Sequence, residues 1–548
     1  MANFNVAFFL FFSLFVGHGV LELQASHHDF SHLQTVKSSV SAKQPYRTGY
    51  HFQPPKNWIN GVMVYKGVYH LFYQYNPNGV VWDSNIVWAH STSKDLVNWT
   101  PHEPAIYPSQ TSDINGCWSG SATILPGGKL AILYTGIDPK NRQVQNLAIP
   151  KNLSDPYLRE WIKSAKNPLM QPTAQNHINA SSFRDPTTAW LGPDKKWRVI
   201  FGSKVNSQGL AIVFKSKDFV NWVQSKTPLH SANTGMWECP DFYPVPVKGQ
   251  NGVDTSVNSP YVKHVLKTSL EETKHDLYTV GSYDNVKHIY TPDLSRAIQN
   301  RRILTGWSNE SSSKADDIKK GWSGVHAIPR KIWLDISGKR LVQWPVTEIQ
   351  KLRANQVTLT NKTIKGGSVI EVSGITAAQA DVDVSFEIAD LEKAEVLKPR
   401  WTNPQLLCSQ KGASVKGRLG PFGLLVLASD GLKENTAVFF RIFKSHNKYV
   451  VLMCSDQSRS SLNQDNDKTT YGAFLDVDIQ HQKLSLRSLI DHSIVESFGG
   501  GDKVCITSRV YPTLAINQAA YLYAFNNGTQ SIKIAELNAW SMNTAKIN

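Results

Sequence analysis

Beyond the first 60 or so residues, apolar positions fall in short runs broken by turn residues, which favours short strands over long helices. One element recurs: a strand-length run ending in small or polar residues. It reads YHLFYQYN from Tyr69, LAILYTG from Leu130, WRVIFGSK from Trp197, DLYTVGSYD from Asp276 and RRILTGWS from Arg301. A second repeat is closer to identical. Ser93-Lys94-Asp95-Leu96-Val97-Asn98-Trp99 returns as Ser216-Lys217-Asp218-Phe219-Val220-Asn221-Trp222, each time after an apolar run. Small antiparallel units repeated at such spacing predict a β-propeller, one small sheet per blade. The first three intervals are 61, 67 and 79 residues, but the last is 25, so something there is short.

From about Ala354 the texture changes. SVIEVSG, DVDVSFEI, TAVFFRIF, KYVVLMC, LSLRSLID and YLYAF alternate apolar with polar positions between turns, as the strands of a β-sandwich do. The predicted organisation is therefore all-β: a propeller over 47–332, a connection over 333–353 and a sandwich over 354–548. Ahead of these, AFFLFFSLFV from Ala7 to Val16 reads as a signal peptide ending near Ala25-Ser26, followed by a leader over 27–46. No later run is long and apolar enough to predict a membrane span.

Charge and cysteine content sharpen this picture. Net charge is +15, spread along the chain without a basic tract or a nucleic-acid motif. With export expected, nucleic acid is excluded and a polyanionic matrix such as pectate becomes the fitting macromolecular partner. Six N-x-[ST] triplets, at Asn98, Asn152, Asn179, Asn309, Asn361 and Asn527, are glycosylation candidates that agree with export. Five cysteines are too few for a disulfide scaffold, and none has CxxC metal spacing. Cys408 and Cys454, each ending an apolar run, are the candidate pair. In the sandwich, Asp491 and Glu496 form an acid pair, but strand alternation at odd spacing puts them on opposite faces and argues against catalysis.

Three patches in the N-terminal half exceed what folding needs: His51 to Asn60 (HFQPPKNWIN), Phe183-Arg184-Asp185-Pro186, and Met236-Trp237-Glu238-Cys239-Pro240-Asp241. The last two place a carboxylate beside a proline, which interrupts regular strand pairing. RDP and WECPD together, with Gln74 in FYQYN, Trp118-Ser119 in GCWSGS, and Asp284 and Lys287 in YDNVK, carry a resemblance. From about His51 to its end the chain resembles glycoside hydrolase family 32, in the branch of plant cell-wall acid invertases, which Pro240 of WECPD favours.

The resemblance implies a five-bladed propeller with an acidic funnel, and retaining hydrolysis of a terminal β-fructofuranosyl unit, above all in sucrose. Retaining glycosidases hold two carboxyl groups about 5 Å apart, one as nucleophile and one as acid/base. Glu238 matches the acid/base, kept protonated by burial and a neighbouring negative charge. Asp185 matches the residue that binds fructose hydroxyls and stabilises the transition state, with Arg184 as its charge partner. Trp58, Asn60, Gln74, Trp82, Trp118, Ser119, Asp284 and Lys287 match the sugar pocket. No cofactor or metal is implied.

Two departures stand out. The family's first motif is WxNDPNG, whose Asp is the nucleophile, whereas this chain runs Trp58-Ile59-Asn60-Gly61-Val62 and lacks the Asp-Pro-Asn. The segment resembling DYGxxYASKTF, expected as the innermost strand of blade five, is also missing between Lys287 and Arg301. Asp83, where relatives carry Trp-Gly-Asn, is a poor substitute because attack demands alignment within about half an ångström. The alternatives to an invertase are a sugar-binding decoy without turnover and a fructan exohydrolase.

Overall fold

The computed structural model describes residues 44–54, 62–248, 252–272, 275–292, 302–335, 340–446 and 448–547. The expected signal peptide and nearly all of the expected leader lie outside these residues. So do Trp58, Asn60 and the Asn60–Gly61 junction.

Four antiparallel sheets follow one another from Val62, the first, second and fourth of four strands and the third of six. The first joins strands Val62–Tyr65, Val68–Tyr75, Val87–Ser93 and Thr100–Ile106, and the second runs from Cys117–Leu125 to Trp161–Lys163. The third uses two short inner pieces, Phe183–Arg184 and Trp190–Leu191, beside Trp197–Val205 and Gln208–Ser216, the latter flanked by Trp222–Gln224 and His230–Ala232. The fourth is Trp237–Pro246, Val262–Leu270, His275–Asp284 and Ile289–Pro292.

Apolar faces of successive sheets pack together. Phe72 and Trp88 meet Ile132 and Tyr134; Leu133 meets Phe183 and Phe201; Ile200 and Trp190 meet Trp237 and Phe242; Val245 and Val265 meet Ile332 and Leu334. The ring closes where Leu71 and Tyr73 of the first sheet share a cluster with Ile328, Val346 and Ile303. This is a five-bladed β-propeller.

The fifth sheet has three strands among the described residues, Arg302–Leu304, Arg330–Leu334 and Leu341–Pro345. It overrides the expected connection over 333–353. Trp333 pairs with Val342 inside the blade, and Arg353 already opens the first sandwich strand, Arg353–Ile364. Single-sequence reading placed the boundary too early because an edge strand of a blade carries no motif. Between the domains there is only the short 3₁₀ turn Thr347–Leu352.

The sandwich stacks a six-stranded sheet on a seven-stranded one, and all six alternating runs are strands within it. Val382, Val384, Phe386, Leu424, Val438, Phe440 and Leu486 fill the space between the sheets. Cys408 and Cys454 are bonded, with Cα atoms 5.7 Å apart. Both copies of the repeat form one kind of turn. Asp95 accepts from the backbone of Val97 and Asn98, Asp218 from that of Val220 and Asn221, and Leu96 and Phe219 take positive φ. Asn98, Asn152, Asn179 and Asn361 are exposed, while Asn309 and Asn527 are half-buried.

Asp491 and Glu496 do not point to opposite faces. They sit on two arms of a hairpin, where Glu496 pairs with Leu489, two residues before Asp491, so both share a face. That face meets the propeller. His51 Nδ1 lies 2.9 Å from Asp491 Oδ2 and its Nε2 lies 3.4 Å from Glu496 Oε1, all fully buried. Arg330 Nη2 donates to Glu496 Oε2 at 2.7 Å. Burial pushes the Glu496 carboxyl up, but Arg330 and His51 outweigh it and hold the pKa at about 2. A buried ion pair with one partner removed strands the other charge, at a cost of about 3–5 kcal/mol. Arg330→Leu is therefore predicted to lower unfolding free energy by about that much in denaturant titration, and a loss below ~1 kcal/mol contradicts this reading of the domain contact.

Candidate active site

The chemistry-bearing motifs share one topological position. Trp118-Ser119, Arg184-Asp185 and Trp237-Glu238 each lie at or beside the start of a blade's first strand. In sequence the HFQPPKNWIN patch precedes the first strand of blade one, and its residues from Pro55 on lie outside the described residues. First strands are the innermost in a propeller, so their starts converge at one mouth.

Asp185 leaves the strand Phe183–Arg184 with φ +65, ahead of Pro186, and its N–H donates to Thr135 Oγ1 at 3.0 Å. Glu238 begins a register break that spans Glu238 to Asp241, within which Cys239 takes φ +43. A bulge of this kind re-aims side chains that regular pairing would send into the blade. Blades three and four also need to approach closely: a Cβ on Gly202 would lie 1.9 Å from the Trp237 carbonyl oxygen.

Arg184 is the hub. Its Nε and Nη2 donate to Glu238 Oε1 at 3.2 and 2.9 Å. Nη2 is also 3.0 Å from Glu271 Oε2, and Nε lies 4.0 Å from Asp185 Oδ2. The expected partnership is thus shifted, with Glu238 and Glu271 holding Arg184 more tightly than Asp185 does. Both key carboxylates lie within 4.0 Å of one nitrogen, so they do converge.

Asp185 Oδ2 accepts from the Cys239 N–H at 2.8 Å. Burial pushes the Asp185 carboxyl up; Arg184 opposes this, Glu238 adds to it, and the outcome is about 6. Behind Glu238, Thr268 Oγ1 donates to its backbone carbonyl, and Lys267 lies 3.2 Å from buried Asp276. Glu271 and Asp276 were missed by sequence reasoning. They have no motif of their own and reach the site only because the second and third strands of blade four return to its mouth, pairing Glu238 with Ser269 and Ser269 with Asp276.

On another wall, Gln74 Nε2 donates to Ser119 Oγ at 2.8 Å. Trp82 and Trp118 meet edge to face with centroids 5.8 Å apart, and Trp118 Nε1 donates to the Ser84 carbonyl at 2.9 Å. Asp83 is exposed, and its Oδ1 accepts from the Asn85 N–H.

Asp284 and Lys287 do not join this group. They occupy the hairpin at the far end of blade four, eight residues along the strand from Asp276, or roughly 26 Å at 3.3 Å per residue. YDNVK looks like a site motif, but strand length decides which end of a blade a turn occupies.

Residues 51–345 match the glycosyl hydrolases family 32 N-terminal domain and residues 348–541 match the family 32 C-terminal domain. An insoluble β-fructofuranosidase isoenzyme of Arabidopsis thaliana is 62% identical, with 99% of each chain covered. A cell-wall β-fructofuranosidase of Pisum sativum is 64% identical, covering 93% of this chain and 97% of the relative. Among solved structures, fructan 1-exohydrolase IIa from Cichorium intybus superposes with TM-score 0.89 at 52% identity, covering 92% of this chain and 99% of the other. The Arabidopsis alignment spans 579 positions against 548 residues, so at least 31 of them have no counterpart here.

Raising the Asp185 pKa from 3.8 to about 6 means the folded protein holds a proton that the unfolded chain releases. The site is then favourable below pH 4 and loses about 3 kcal/mol as pH rises through 6. Asp185→Asn is predicted to gain stability over the parent at pH 7 and to lose that advantage near pH 4. Chemical denaturation at both values checks this; a parent that gains on the variant as pH rises contradicts it.

Proposed function

The chain belongs to glycosyl hydrolase family 32, and on that basis we propose that it is built to hydrolyse terminal β-D-fructofuranosyl residues with retention, sucrose being the foremost substrate. The observation that carries this reading is the pair Asp185 and Glu238 gathered on Arg184 at the propeller mouth. Identity above 60% with two plant β-fructofuranosidases over nearly the full length supports the release of fructofuranosyl units.

In this reading Glu238, as the acid, passes its proton to the glycosidic oxygen as the bond to the fructosyl carbon breaks; in the second half it takes a proton from water. Asp185 holds fructose hydroxyls and stabilises positive charge as it develops. Gln74, Ser119, Trp82 and Trp118 offer amide, hydroxyl and aromatic surfaces to the sugar. Arg184 positions both carboxylates. Asp284 and Lys287, given their position, do not bear on sucrose against fructan.

The attacking carboxylate is the missing part. Removing one member of a catalytic unit costs about 10⁴-fold or more in rate. The chain as written is therefore proposed to bind sugar with little turnover. Export to the cell wall, where polyanions surround a protein of net charge +15, completes the proposal.

Two comparisons test it. Inserting Asp-Pro-Asn between Asn60 and Gly61 is predicted to raise sucrose hydrolysis at least ~10⁴-fold, and Glu238→Gln in that restored protein to abolish the gain. Robust sucrose turnover by the unrestored chain contradicts the missing-nucleophile account. Faster release of fructose from inulin or levan than from sucrose by the restored protein transfers the assignment to fructan exohydrolysis.

A further inference from the structure

Blades three and four enclose a second pocket, at the end away from the Arg184 cluster. Arg184 pairs with Gly202, whereas this pocket is built four residues earlier in the same strand, where Trp190, Arg198, Lys215 and Val223 are successive cross-strand neighbours. Directly paired residues project to the same side of a sheet, so the register puts a guanidinium and an ammonium side by side. The hairpin of blade four that carries Lys287 and His288 closes the opposite wall. The pocket measures about 610 Å³, within the range of a ligand site.

Its charge is one-sided. Lys196, Arg198, Lys215, Lys217, Lys226 and Lys287 line it, against one carboxylate, Asp218. Asp218 is engaged by the backbone N–H groups of Val220 and Asn221 in its own turn. Among the described residues, no carboxylate lies within ion-pair distance of Lys196, Lys215, Lys217 or Lys226, while Arg198 bonds Asp194 at 2.8 Å and stands against the His288 ring. Burial, then Arg198 and Lys196, lower the Lys215 pKa, and burial, then Arg198 and Lys215, lower that of His288. Like charges are thus held together without a local counter-ion for most of them. The floor is apolar: Trp190, Val213, Leu229 and Tyr283 line it.

We propose that this pocket binds a stretch of carboxylated polysaccharide, a polyuronate, with ring carbons against the apolar floor and carboxylates paired to the surrounding lysines. A lone small anion needs no such floor, and a neutral glycan leaves the cations unpaired. The inference rests on the proposed residence among wall polyanions and gives that attraction an address. It also gives Lys287 a role at the end of blade four where it stands.

The test measures binding of polygalacturonate fragments to the full chain at low salt by titration calorimetry. Binding is expected, falling with added salt as charge screening requires, with fully methyl-esterified fragments binding at least tenfold more weakly. Lys215→Gln/Lys217→Gln/Lys226→Gln is expected to weaken binding at least tenfold at unchanged melting temperature. Lys362→Gln/Lys365→Gln/Lys433→Gln removes the same charge from exposed sandwich positions and is expected to bind like the parent. Equal losses in both triple variants overturn the pocket and leave the general attraction standing. A parent that does not bind polygalacturonate overturns the proposed wall partner itself.

Discussion

One buried cation organises the mouth of the propeller. Arg184 must be stripped of water to lie between Glu238, Glu271 and Asp185, a cost that only several well-placed carboxylates offset. The folding details around it serve that placement. Positive φ at Asp185, the irregular register after Glu238 and the bare Cα of Gly202 let two blades bring their carboxylates to the same guanidinium. The strain is tolerated because the blades are locked by interblade apolar clusters on both sides. The elevated Asp185 pKa follows from the same crowding.

The sandwich contributes to this mouth from a distance. Asp491 captures the backbone N–H groups of Gly49, Tyr50 and His51, and Glu496 holds the Ile328 N–H and Arg330. These are the start of the propeller and its last blade. The closure of the ring is therefore tied to the second domain, beside a fifth sheet that has three strands among the described residues. The 25-residue interval in the repeats led to the expectation of a shortened fifth blade, and the stretch concerned, 293–301, lies outside the described residues.

Much of the fold was legible because strand patterning is local. Every alternating run of the C-terminal half became a strand, and the near-identical SKD turns became identical structures. Arg184, Asp185 and Glu238 were legible through RDP and WECPD taken together, the motifs that carry the family resemblance; Arg-Asp-Pro by itself is commonly only a turn. What escaped is non-local. Glu271 and Asp276 owe their place to strand pairing, Asp284 and Lys287 lose theirs to strand length, and Asp491 and Glu496 share a face only because a turn intervenes. Sequence alternation describes one strand at a time and is silent about what returns beside it.

The central claim is that Asp185 and Glu238 grip one fructose ring at the propeller mouth. A crystal structure of the chain soaked in fructose measures this directly. The account predicts a furanose ring with hydroxyls hydrogen-bonded to Asp185 and Glu238, against Trp82 or Trp118. A ring bound elsewhere, with those two carboxylates untouched, contradicts it.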